Sequence, residues 1–326
     1  MSAEPTSVSD TPQLTVVVPV RNRPVLVVRT LDSIAAQTLR PFNLIIVDSA
    51  STDNTLDVVT RWADRHRTDA LSIEVLGCPT PGASIARNYG LANVATPYVL
   101  FFDSDDEMRP NHLERIDTAL RERPDTDILY YDAATIDPDG WTSVKSHRHH
   151  DLKALQVLHC PLSTQRYTVR TDILRAAGGW NEELQMWVDL ELGIRLLLLP
   201  DVKARRMEGD PTVWIHPTDE SLTGTSMSGR AEHHAKALDA IDRIVAASEH
   251  EYLKRILHCR RLILASLYRR EGDKQAANII LRPVENEKLP IKTGMKMGLI
   301  YIVNRLTGHG GSRLALKWFA QKAQKS

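Results

Sequence analysis

Four carboxylates stand within five residues of the stretch YVLFFDSDDEM, Tyr98 to Met108: Asp103, Asp105, Asp106 and Glu107. Like charges this close repel, and the cost falls when a cation neutralises them. Oxygen ligands suit Mg²⁺ or Mn²⁺, and Mg²⁺ takes one or two carboxylates together with substrate phosphates. The plain alternative for an isolated D-x-D is a solvated acidic loop. Two other chemistries fit worse. An EF-hand register starting at Asp103 reaches Asp105, Glu107 and Glu114, but puts Met108 where that loop needs glycine, with Pro110 following. A phosphatase that uses its first aspartate as nucleophile carries the motif on its first strand, whereas this one lies far into the chain.

The residues before Asp103 are wholly apolar and read as a buried strand, and other strands resemble it. LTVVVPV (Leu14 to Val20), NLIIVDS, LSIEVLG and DILYYDA are β-branched or continuously apolar. Between them lie helical patterns: one after Pro24 with Val25, Val28, Leu31, Ile34 and Ala35 on one face, one to about Asp64 that Ser51 or Thr52 can cap, and the glycine-entered GASIARNYGLANVA. Alternation of this kind predicts a largely parallel sheet covered on both faces, with ligands at the carboxyl ends of its strands. Asn22, Asp48 and Asp103 each follow such an end. RTDILRAAGGWNEEL predicts a short helix with a glycine stop, and VDLELGIRLLLL a helix with a polar start. From about Gly229 the chain is mostly helical.

Of 326 residues, 42% are hydrophobic and 25% charged, a globular composition long enough for one large domain and an accessory one. Lys plus Arg and Asp plus Glu both total 41, so net charge selects no partner, but Lys288 to Ser326 holds eight basic residues and no acid. Cys78, Cys160 and Cys259 are too scattered for a disulfide framework or a CxxC site, which predicts a cytoplasmic protein. The first dozen residues lack an apolar core and read as a disordered leader. No apolar run reaches membrane-spanning length. The expected organisation is a leader at 1–12, a catalytic domain at 13–225, a helical extension at 226–287 and a basic amphipathic tail at 288–326.

TVVVPVRNRPVLVVRTLDSIAAQTL, LIIVDSASTDNTLDVV, GASIARNYGLANVATPYVLFFDSDD and AAGGWNEEL…VDLELGIRLL occur in this order. This ordered set, over roughly residues 12 to 225, resembles the family 2 glycosyltransferases. The resemblance implies the GT-A fold: a Rossmann-like, mostly parallel mixed sheet flanked by helices, here with a helical C-terminal extension. It implies that Pro19, Val20 and Arg21 line the nucleotide base, that Asp48 reads it, and that Arg87 touches the nucleotide. Asp103, Ser104 and Asp105 match the D-x-D, with Asp103 and Asp105 expected to hold ribose and a Mn²⁺ or Mg²⁺ ion. His216 matches a histidine near metal or diphosphate, and Asp189 the catalytic base.

The implied reaction moves a sugar from a nucleotide-diphosphate sugar, expected to be a UDP-sugar, to a hydroxyl of a saccharide or lipid-linked acceptor with inversion. Bacterial polysaccharide or glycoconjugate assembly is its expected setting. Displacing the diphosphate needs leaving-group charge stabilised, and the acceptor needs a base. Taken singly, Asp48 reads as a helix cap, Arg87 as a surface residue and Asp189 as a first-turn acid favoured by the helix dipole; their common order favours the functional reading. There are departures. The usual second acid and glycine after the second strand are Ser49 and Ala50, and Val188 replaces the first acid of a Glu-Asp pair. Glu191 therefore competes with Asp189, although residues two apart on a helix face different sides. The alternatives are a degenerate nucleotide-sugar-binding protein and, further off, the aspartate-nucleophile phosphatase.

The histidines of SHRHHD, residues 147 and 149–150, are expected in a solvent or acceptor-side loop rather than at a metal, and Cys160 as a small buried hydrophobe. The stripe Ile241, Ile244, Val245, Leu253, Ile256 and Leu257 predicts core packing or a homodimer contact. Leu314, Leu316, Trp318 and Phe319 among tail lysines suit an anionic membrane surface. No nucleic-acid recognition motif is present.

Overall fold

The structure, a computed structural model, describes residues 12–136, 139–144, 146, 148–217, 229–285 and 287–322. Most of the expected leader, His147 and residues 218–228 after the His216 motif lie outside that set.

In chain order the elements are β1 (Leu14–Val20), α1 (Leu26–Ala35), β2 (Phe42–Ser49), α2 (Thr55–His66), β3 (Leu71–Cys78), α3 (Ala83–Ala92), β4 (Tyr98–Phe101), β5 (Glu107–Met108), α4 (His112–Glu122), β6 (Ile128–Tyr130), β7 (Ala134–Ile136) and β8 (Thr142–Val144). Then come α5 (Leu152–His159), a 3-10 turn (Thr164–Arg166), β9 (Tyr167–Arg170), α6 (Thr171–Ala176), α7 (Val188–Leu198), β10 (Ala204–Arg206) and β11 (Val213–Ile215). Five helices close the chain: α8 (Ala231–Ala246), α9 (Glu251–Arg270), α10 (Lys274–Glu285), α11 (Ile291–Thr307) and α12 (Gly311–Phe319).

Two compact units form. The first comprises residues 1–145, 164–180 and 203–217 and contains every strand among the described residues. Its seven-stranded sheet runs β10-β6-β9-β4-β1-β2-β3, parallel except where β9 runs antiparallel between β4 and β6. A smaller sheet runs β5-β11-β7-β8. The mostly parallel α/β architecture expected from the sequence is present.

Strand periodicity accounts for the two covered faces. Val16, Val18, Leu44 and Ile46 pack with Leu31 and Ile34 of α1, Trp62 of α2 and Leu113 of α4. Val17 and Val47 point the other way, toward Gly90 of α3. A Cβ on Gly90 would stand 2.6 Å from Val17 Cγ1 and 3.1 Å from Val47 Cγ2, so only glycine lets α3 lie this close.

The second unit spans residues 146–163, 181–202 and 218–326, and its regular elements among the described residues are all helices. Its division from the first unit is not linear. Two segments from within the expected 13–225 domain, carrying α5 and α7, cluster with the C-terminal helices. Ala154, Leu190 and Ile194 share a core with Ile241, Val245, Leu253, Ile256 and Leu257, so most of the predicted stripe is core. Leu314, Leu316, Trp318 and Phe319 are partly buried against the same core, which corrects their expected place on a lipid-facing surface. Cys160 is half-buried in a left-handed conformation (φ 51°) after α5, not fully buried. All three cysteines are free thiols.

Candidate functional site

The carboxyl ends of β1, β2 and β4 lie on one edge of the first unit's sheet because these strands are parallel neighbours. The loops after β1 and β2 are tied together. The Asn22 N–H donates to Ser51 Oγ (3.0 Å), the Thr52 N–H to Asn22 Oδ1 (2.8 Å) and the Arg23 N–H to Thr55 Oγ1 (3.0 Å). Ser51 and Thr52 are thus spent on the loop rather than on capping α2, and Asp53 accepts instead from the Thr55 N–H (2.9 Å). Asn22 and Ala50 take positive φ angles of 50° and 51° to make the turns.

Asp48 is buried at the end of β2. Its Oδ2 accepts from the Ser51 N–H (3.0 Å), while Oδ1 is buried with no hydrogen-bond partner. An unmatched buried acceptor costs about 1–3 kcal/mol, a cost that a ligand N–H can remove. Arg21 is exposed and Pro19 half-buried; the Val20 side chain is buried in the hydrophobic core, which corrects its expected place lining a base.

Each acid of the DSDDE stretch has its own partner. Asp103 pairs with Arg87 of α3 (2.8 Å). Asp105 pairs with Arg23 (2.7 Å), and Arg29 of α1 donates to the Asp105 carbonyl (2.5 Å). Glu107 lies 2.6 Å from His216 Nε2 and 3.6 Å from Arg29 Nε. Asp106 is buried; it accepts from the His216 backbone N–H (2.9 Å) and from the Gln165 side chain, so it knots the end of β4 to the 3-10 turn and to the end of β11. Burial, and next the charge of Asp103, push the Asp106 carboxyl up to about 8. The same two causes raise Asp105, against Arg23. Ser104, between Asp103 and Asp105 in the chain, is buried.

Arg87 lies with its guanidinium 5.8 Å from the Trp180 ring. The next residue, Asn88, brackets Trp180: Nδ2 donates to its carbonyl (2.9 Å) and Oδ1 accepts from its N–H (2.8 Å). Gly179 has φ +65°, and a Cβ there would meet Asn88 Oδ1 at 2.5 Å. The ARN and GGW motifs, distant in sequence, are thus one packed unit.

The donor set suits a divalent cation. Asp103 and Asp105 supply two carboxylates, the number Mg²⁺ or Mn²⁺ takes beside substrate phosphates, and burial first, then the Asp103 charge, raises the Asp105 carboxyl, a cost that a bound cation would offset. Among the described residues no group of three His, Cys, Asp or Glu side chains converges. His216, the expected additional ligand, has its Nε2 engaged by Glu107.

The remaining expected residues lie in the second unit. Asp189, in the first turn of α7, is half-exposed, and its carbonyl accepts from Gln156 Nε2 (3.1 Å). Glu191 is buried, and both its oxygens accept from Arg195 one turn on (2.9 and 2.7 Å). Trp187 immediately precedes α7 with φ 55°, a strained value for an aromatic residue. Its ring stacks on His234 (4.2 Å) beneath the Arg260 guanidinium (4.4 Å), and His234 Nδ1 lies 2.8 Å from the Tyr268 hydroxyl. His149 and His150 have ring centroids 4.1 Å apart, and His150 Nε2 is 2.5 Å from the Gln321 carbonyl, with no metal cluster among the described residues.

Sequence reasoning missed Arg23, Arg29, Gln165 and Asn88. Nothing in RNRP distinguishes Arg21 from Arg23. Asn88, adjoining Arg87 in the ARN motif, was the one with a signal.

The pattern of the family described as Glycosyl transferase family 2 matches residues 15–177. "Uncharacterized glycosyltransferase YibD" of Escherichia coli K12 is 28% identical over 169 residues, 49% of this chain and 47% of that protein. The chain therefore matches about half the length of this relative. Two solved structures share the fold. Residues 1–349 of S. aureus TarS in complex with UDP align with a TM-score of 0.60 at 18% identity, covering 90% of this chain and 81% of that one. The mannosyltransferase PcManGT of Pyrobaculum calidifontis, in complex with GDP-Man and Mn²⁺, aligns with a TM-score of 0.54 at 19% identity, covering 94% and 86%.

Proposed function

The chain belongs to glycosyl transferase family 2, and on that premise we propose that it is an inverting transferase moving a sugar from a nucleoside-diphosphate sugar to an acceptor hydroxyl. The observation that carries this reading is the gathering of Asp48, with its unmatched buried oxygen, and the Arg87–Asp103 and Arg23–Asp105 pairs at neighbouring strand ends. Asp48 Oδ1 accepts from a base N–H. A uracil imide would donate one N–H there, and the TarS structure is a complex with UDP, so a UDP-sugar is the donor we propose. Arg87 and Arg23 release their carboxylates and turn to the diphosphate, anions replacing anions. Asp103 and Asp105 would hold the divalent cation, whose chemistry is to neutralise charge on the departing diphosphate.

The acceptor oxygen attacks the anomeric carbon as the bond to the diphosphate breaks, and its proton passes to the Asp189 carboxylate. One displacement gives inversion. Glu191 is the weaker base because Arg195 holds both of its oxygens. The acceptor is a saccharide or a lipid-linked saccharide, in bacterial polysaccharide or glycoconjugate assembly. Transfer from nucleotide sugars is tested with Asp189→Asn and Glu191→Gln. Loss of transfer by Asp189→Asn, with nucleotide binding retained, supports the assignment; loss confined to Glu191→Gln moves the base. Val188 in place of an acid favours one second reading, a nucleotide-sugar-binding protein without transfer, which binding of UDP with no turnover on any acceptor would support.

A further inference from the structure

Helix α11 is apolar on two opposite faces. Met297, Ile300 and Asn304 are buried on one. Asn304 Nδ2 donates to Ser266 Oγ of α9 (2.8 Å), and Arg270 of α9 donates to the carbonyls of Arg305 and Leu306 (3.0 Å each), so both the face and the last turn are held rigidly. The other face carries Ile291 (83% exposed), Met295 (71%), Leu299 (46%), Ile302 (52%) and Leu306 (75%). Their spacing of four, four, three and four residues keeps them on one stripe about 22 Å long. Half of the large exposed hydrophobic side chains among the described residues lie on this one helix.

The stripe has charged borders. At 100° per residue, Lys292 flanks one side and Arg305 the other, both exposed, with Lys288 exposed just before the helix. Lys296 stands farther round, 6.0 Å from the Trp318 ring. From Lys288 to Ser326 no acid offsets these charges. A helix with an outward apolar stripe between basic side chains matches the chemistry of an anionic bilayer, whose acyl chains take the stripe and whose headgroups take the lysines and arginine. A second copy fits less well: pairing two of these faces would bring their basic borders together with no acid within residues 288–326 to balance them.

We infer that the outward face of α11 is a docking surface for anionic membranes, with Ile291, Met295, Leu299, Ile302 and Leu306 entering the interface. This moves the membrane contact away from Trp318 and Phe319, which pack inward. It is independent of the donor chemistry.

The test is co-sedimentation of the full chain with phosphatidylcholine vesicles, with and without phosphatidylglycerol, at low and high salt. The unaltered chain should pellet with the phosphatidylglycerol vesicles and be released by salt. Leu299→Glu with Ile302→Glu should lower partition at least about tenfold. Lys292→Gln with Arg305→Gln should lower it about twenty-fivefold, at about fivefold per charge. Thermal melts should match the unaltered chain, since all four side chains are exposed. Undiminished pelleting of Leu299→Glu/Ile302→Glu would overturn the inference. So would a chain that ignores vesicles but sediments as a dimer that this double variant splits.

Discussion

At the end of β2, Asp48 combines a partnered oxygen with a buried, unpartnered one, and a ligand donor would relieve that imbalance. Asp48→Ala should therefore weaken UDP binding by about 1–3 kcal/mol, a loss of roughly fivefold to 150-fold that calorimetry reads directly. Binding at unaltered strength would remove Asp48 from the base site. Asp189 and Glu191 separate in the same manner. Asp189→Asn should lower transfer by about 10²–10⁴ with nucleotide affinity kept. Glu191→Gln should show its effect mainly as a lower melting temperature, because it breaks a buried pair with Arg195. Asp48, Asp103, Asp105 and Asp189 could all be picked out in the sequence as polar residues after apolar strands or before an apolar helix. Arg23 and Gln165 could not, because their partners, Asp105 and Asp106, lie 82 and 59 residues away and no spacing encodes such pairs.

Long, buried elements were legible and short ones were not. β1 runs from Leu14 to Val20 as its apolar run predicts, because every residue but one is buried. β5, β7, β8 and β11 have two or three residues each, too few for alternation to register, so the small sheet that carries Glu107, with His216 just past the end of β11, was invisible. The redirection of Ser51 and Thr52 from helix cap to loop tie has the same origin, a partner (Asn22) supplied by another strand end. The entry to α7 depends on a stack that sequence could not foretell: Trp187, strained at φ 55°, is held between His234 and Arg260. His234→Ala should cost about 0.5–1.5 kcal/mol of stability through the lost ring contact. It should also lower kcat while leaving nucleotide affinity unchanged, since it disturbs the start of the helix bearing Asp189. A variant with a lower melting temperature and unaltered kcat would make the stack purely structural.

Over the whole molecule the charges balance, but their placement does not, and two buried histidines couple its stability to pH. Burial, with Arg115 second, pushes His112 from the ordinary 6.5 down to about 3; burial, with Arg260 second, pushes His234 down to about 4. Both stay neutral in the folded chain while the unfolded chain takes up protons below about pH 6.5. Their contribution is therefore fully present above that pH and drains away as pH falls toward 4 and then 3. The melting temperature should fall over that window, and His112→Gln should flatten the fall; an equally steep profile in the variant would assign the acid sensitivity elsewhere. The central claim is that the strand-end carboxylates serve nucleotide-sugar chemistry. The most direct test is release of UDP from a UDP-sugar by the full chain in the presence of Mn²⁺, compared with Asp105→Asn. The unaltered chain should release UDP, and the variant, with an unchanged circular dichroism spectrum, should lose at least about a hundredfold. Full release by the variant would contradict the account.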